Sequence, residues 1–146
     1  MSDYKKALRD GFEAAKKAEL ARKEIQAVLE KFREDVLAAS EGKLLLEIKK
    51  YEVQRTPLEA INFSVFTQHE PKKTYLALTA WNPTVEKPSY KELARWKQAA
   101  DGYPCVLTRN QQERQFEDRA ALEEGFAELL RDPRIGETLQ MLINQK

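Results

Sequence analysis

From Asp3 to Ala39 the chain has no proline and a single glycine, Gly11, and it is built mainly of Ala, Lys, Glu, Leu and Arg. Those are the strong helix formers, so this stretch predicts one very long helix. Its small and apolar residues fall on a heptad grid. One row reads Tyr4, Gly11, Ala18, Ile25, Phe32, Ala39, and the row four residues later reads Leu8, Ala15, Arg22, Leu29, Val36. A heptad held over about five repeats favours packing along a neighbouring helix. Glu13 with Lys17, Glu19 with Lys23, and Lys31 with Asp35 add supporting charge pairs one turn apart. Gly42 is the expected C-terminal stop.

A helix this long constrains everything after it. At about 1.5 Å per residue it spans ~55 Å, against a diameter of ~26 Å for a compact domain near this size. Either it projects and pairs with another chain, or it breaks near Gly11 or Ala18 and folds back. The first half of the stripe is mostly alanine and glycine and buries little area. The half around Ile25, Leu29, Phe32 and Val36 is more apolar and is expected to dock on the sheet of its own domain.

Three strand-like runs follow. Leu44, Leu46 and Ile48 alternate, and Tyr51 with Val53 resume the pattern after a slip at Lys49-Lys50, which reads as a bulge. Ile61, Phe63 and Val65 face one way, with Asn62, Ser64 and Phe66 the other. Glu70 to Lys73 reads as a hairpin loop. Thr74 to Trp81 is apolar on both faces, as in a central strand. Ser89 and Glu92 form a capping box that predicts a helix ending near Gly102, with Leu93, Trp96 and Ala100 on its inner face. Tyr103–Arg109 and Glu113–Glu117 predict a second hairpin turning at Asn110 to Gln112. Asp118 caps a helix with Leu122, Phe126, Leu129 and Leu130 buried. Asp132-Pro133 starts a last helix carrying Ile135, Leu139, Leu142 and Ile143.

The expected fold is therefore α+β, in the order α-βββ-α-ββ-αα, with an antiparallel sheet of three plus two strands. Residues 1–42 form the coiled-coil-like helix and 43–146 the α+β body, all within one domain. At 146 residues such a body can bury its own core without covalent staples.

Charge narrows the partners. Nine basic residues meet nine acidic ones over 1–42, eleven meet seven over 43–109, and five meet eight over 110–146. The middle is mildly basic and the end mildly acidic, which can orient a partner without naming one. The N-terminus has no apolar leader, and no apolar run approaches the ~20 residues that cross a bilayer. A cytoplasmic protein away from membranes is expected.

Few residues here carry chemistry. His69 is the only histidine and Cys105 the only cysteine, so no soft-metal site of usual spacing can be assembled within one chain. A nucleophilic Cys105 has only His69 as a base; the ordinary readings are a buried strand thiol and a solvated loop imidazole. Phosphate-binding glycine loops and nucleophile elbows are lacking. No catalytic residue, metal or cofactor is expected.

For nucleic acid the candidate contacts are Lys49, Lys50, Lys72, Lys73 and Arg95, set among aromatics. A pI near 7.8 lies below the usual basic footprint, and Trp96 is in phase with Leu93 and Ala100 as a core residue. For protein contact the candidates are Leu8, Ala15, Arg22, Ile25 and Leu29 on the first helix, with Phe66 on the sheet. Arg22 interrupts its row as a register-setting polar residue does.

The element order resembles that of type III secretion chaperones, small cytosolic dimers that hold an effector segment. That resemblance implies a dimeric protein-binder. The leading expectation is a non-enzymatic adaptor, chaperone or inhibitor that pairs with itself or another protein. A nucleic-acid-associated protein and an enzyme of unknown type are the alternatives.

Overall fold

The computed structural model describes residues 2–53 and 73–146. Phe66, His69, Lys72 and the strand expected around Ile61 to Val65 lie outside the described residues.

Helix α1 spans Tyr4–Ala39 without a break at Gly11 or Ala18. The Asp3 side chain accepts the Lys6 amide at 3.2 Å and so caps its start. At its end the chain turns through Glu41 and Gly42, both with positive φ, and the Gly42 amide reaches back to the Leu37 carbonyl at 2.8 Å.

Among the described residues five strands follow: β1 Leu45–Glu52, β2 Thr74–Trp81, β3 Lys91–Ala99, β4 Gly102–Arg109 and β5 Gln112–Phe116. They form one antiparallel sheet in the order β1-β2-β3-β4-β5, each strand paired with its sequence neighbours. The β4–β5 hairpin turns through Asn110 and Gln111, both with positive φ, as a two-residue hairpin turn requires. Helices α2 (Arg119–Arg131) and α3 (Pro133–Ile143) close the chain. Asp118 caps α2 by accepting the Ala121 amide. Asp132 caps α3, with Pro133 in its first turn.

The fold is thus α+β, with a long first helix, an antiparallel sheet and two closing helices. Two local expectations are corrected. The helix expected from Ser89 to Gly102 is strand β3. Leu93 and Trp96 are both buried at a helix-like spacing because β3 is bulged: Ala94 pairs with Leu78 and Glu92 with Thr79, leaving Leu93 as the extra residue, whereas Ala100 lies exposed in the turn after β3. The bulge turns both Leu93 and Ala94 into the core and breaks the period of two that would have marked a strand. Pairing with β2 from Lys91 onward, joined by β4 from Arg95, then overrides the helix propensity of Lys91-Glu92-Leu93-Ala94-Arg95. The second correction concerns β1, which pairs with β2 in unbroken register from Leu45–Trp81 to Glu52–Thr74, with no bulge at Lys49-Lys50. Lys49 and Tyr51 simply face the side opposite Leu46 and Ile48.

Among the described residues the core is one cluster between the sheet and helices α1, α2 and α3. Phe126 of α2 lies at its centre, stacked on Phe32 at 4.5 Å and facing Trp96 at 6.0 Å. Gly125 lets α2 approach β5, since a β-carbon there would meet the Phe116 ring at 2.4 Å. Asn82, buried at the end of β2, donates to the Leu142 carbonyl of α3 at 2.9 Å and accepts from Thr84, so no polar atom of its side chain is stranded.

Candidate docking surfaces

α1 divides into two halves at the point where it meets the β3–β4 turn. Ala21 packs against Gly102, whose φ of +108° a side chain would resist. Beside this contact the Arg22 guanidinium donates to the Ala100 carbonyl at 2.9 Å, and the Tyr103 hydroxyl donates to the Glu24 carboxylate at 2.7 Å. Burial, helped by that hydrogen bond, pushes the Tyr103 phenol well above its ordinary value. After this clamp α1 is held by the body: Ile25, Val28 and Val36 are buried, with Leu29 and Phe32 half-buried beside them.

Before the clamp, every residue from Tyr4 to Lys17 is exposed. Tyr4, Leu8 and Phe12 follow one another at single-turn spacing and are 81%, 58% and 65% exposed. This projecting segment is about 21 Å long. The Glu19–Lys23 pair at 3.2 Å spans the clamp and contributes only tenths of a kcal/mol to the helix.

The sequence-expected protein contacts therefore separate. Leu8 and Ala15 lie on the projecting half. Arg22 fastens the helix to its own body instead of setting a register with another chain. Ile25 is fully buried in the chain's own core, and Leu29 borders a groove. Tyr4 and Phe12 stand exposed beside Leu8. Phe12 sits one residue off the heptad rows, beside Gly11, and its exposure depends on how far the body reaches along α1.

That groove, of about 400 Å³, runs between α1 and the β1–β2 side of the sheet. Leu29, Phe32, Ile48, Leu76 and Trp96 line it, and Gln26, Glu30 and Arg33 stand along its helical edge. Leu76 is 42% exposed.

The opposite sheet face is aromatic and cationic. The Lys49 ammonium lies 4.4 Å from the Trp81 ring centre and 4.0 Å from that of Tyr90. The Arg95 guanidinium covers Tyr75 at 4.1 Å, and Tyr75 stacks on Tyr51 at 5.6 Å. The Tyr75 hydroxyl donates to Glu92 at 3.1 Å; burial, then this carboxylate, raises its pKa. Thr79 gives its own proton to the Ala77 carbonyl, so the Tyr51 hydroxyl donates to Thr79 at 2.7 Å. Of the expected nucleic-acid contacts, Lys49 and Arg95 share this face. Lys50 points to the opposite side next to Leu76, and Lys73 is exposed just before β2.

Cys105 is fully buried, and burial alone pushes its thiol up to about 11. It is a protonated core side chain at neutral pH, far from the thiolate a nucleophile requires. Among the described residues no three His, Cys, Asp or Glu side chains converge as metal ligands, and no helix is long and apolar enough to cross a membrane.

No protein-family model, no curated protein and no solved structure matches this chain. The resemblance in element order to type III secretion chaperones included a middle helix, and strand β3 stands in its place.

Proposed function

We propose that the protein is a non-enzymatic binding module that associates with itself through the projecting half of α1. The observation that carries this reading is the exposed ridge of Tyr4, Leu8 and Phe12 on a helix that leaves its own body at Ala21. A helix of about 14 residues is marginal in water without a partner surface, and apolar side chains in register along it favour a second helix or a groove. The body contributes rigidity: its core fixes the second half of α1, so the first half is held out at a defined angle.

The test is the solution mass against a monomer of 16.9 kDa. Light scattering behind a sizing column is expected to give twice that mass, and Leu8→Asp with Phe12→Asp to give a monomer that still unfolds cooperatively, at a midpoint lowered only by the lost association. A wild-type monomer at tens of micromolar removes self-association.

The sheet face supports a second reading, in which Lys49 and Arg95 beside Tyr51, Tyr75 and Tyr90 hold a single-stranded nucleic acid by stacking and charge. Binding of mixed-sequence oligonucleotides that weakens steeply with salt is then expected. Absence of binding at low salt discards it.

A further inference from the structure

Leu8, Phe12 and Ala15 lie eighteen residues before Gln26, Glu30 and Arg33. At about 3.6 residues per turn, eighteen residues are five whole turns. The exposed ridge therefore stands on the same flank of α1 as the groove edge, ridge at one end and trough at the other. The second apolar groove, between α1 and α2, is bordered on the helix by Ala27, Lys31 and Asp35. Five turns earlier that flank carries Arg9, Glu13 and Lys17, which are polar. Only the groove beside the sheet shares its flank with the ridge.

The geometry points to a second copy of this chain as the occupant of the groove between α1 and β1–β2. Its projecting helix lies antiparallel to α1, with Leu8 and Phe12 seated against Leu29, Ile48 and Leu76. This inference rests on self-association through α1 and adds where the helix lands. Ridge and trough belong to one rigid helix, so a single two-fold operation fills both troughs at once, which is the self-complementary contact of a closed dimer. The walls are suited to this: Leu29, Phe32 and Ile48 are half-buried and Leu76 is exposed, leaving apolar area for a partner to cover. The direction follows from where ridge and trough lie along α1. Phe12 stands near the start of the helix and Leu29 well beyond its middle, so a two-fold that seats Phe12 against Leu29 in both copies runs the two helices antiparallel. Parallel helices related by a two-fold would lay ridge on ridge and leave both troughs open.

Cysteine pairing separates this arrangement from other dimers. Phe12→Cys and Leu76→Cys are made separately in the full chain, mixed, and oxidised mildly; Cys105, fully buried, does not compete. The expected product is a disulfide between the two variants, in excess of either variant joined to itself. Phe12→Cys joined chiefly to itself would overturn the groove while leaving pairing through α1 intact, because the two helix tips would then face each other. A monomeric mass with no cross-linked product overturns both. As an independent check, Leu76→Asp alone is expected to weaken the dimer at least about ten-fold while the monomer keeps its fold. Unchanged association in that variant counts against the groove.

Discussion

Gly102 and Ala21 touch so closely that a β-carbon at residue 102 would lie 2.7 Å from the Ala21 methyl carbon. That contact is where α1 leaves the body, and it sets which half of the helix is core and which half is surface. Arg22 and Glu24 lock it from either side through Ala100 and Tyr103.

Gly102→Ala meets both a strained φ of +108° and the Ala21 contact. It is expected to cost about 2 kcal/mol in urea unfolding. Gly11→Ala is the control: it lies in the same helix with open space where its β-carbon goes. It should leave global stability unchanged or raise it by up to about 1 kcal/mol, and slow amide exchange in the projecting half. Equal effects from the two substitutions would contradict the division of α1 at Ala21.

Phe126 and Phe12 make a second contrasting pair. Phe126→Ala empties the centre of the core beneath Phe32 and Trp96 and is expected to cost about 3–5 kcal/mol. Phe12→Ala removes a ring that is already mostly in water, so the monomer's thermal unfolding should be nearly unmoved. What Phe12→Ala changes is mass, through association.

The Arg109 guanidinium, 2.7 Å from Asp132, holds that carboxyl below its ordinary value, aided by the Arg134 amide. A carboxylate with a depressed folded pKa stabilises the fold above the ordinary carboxylate range. The contribution fades as pH falls through the depressed value. Asp132→Asn keeps a helix cap and loses the ion pair. The variant should be less stable than wild type near neutrality, and the two should converge on acidification, as read from urea midpoints across pH. Parallel curves would mean that the pair contributes nothing.

Cys105 should resist thiol reagents in the native protein at pH 7 to 8 and react within seconds once urea unfolds it. Rapid native labelling would place the thiol at the surface, against its full burial and raised pKa.

Much of this architecture was legible in the sequence because it is local. The proline-free heptad run from Asp3 to Ala39 dictates one helix wherever it sits. Asp118 and Asp132-Pro133 mark two helix starts by hydrogen bonds that span three residues or fewer. The alternation of Leu44, Leu46 and Ile48 and the polar turn at Asn110-Gln111 likewise need no distant partner. Only the tertiary structure made Lys91–Ala99 a strand. Its residues prefer a helix, but Lys91 to Trp96 lie in register with β2 and Arg95 to Ala99 with β4, and a bulge at Leu93 turns an extra apolar side chain into the core. It also gave one heptad pattern two fates. Ile25 and Leu8 both lie on the heptad rows, yet Ile25 is fully buried and Leu8 is exposed. Burial depends on how far the sheet extends beneath the helix, and the β3–β4 turn at Gly102 ends it at Ala21.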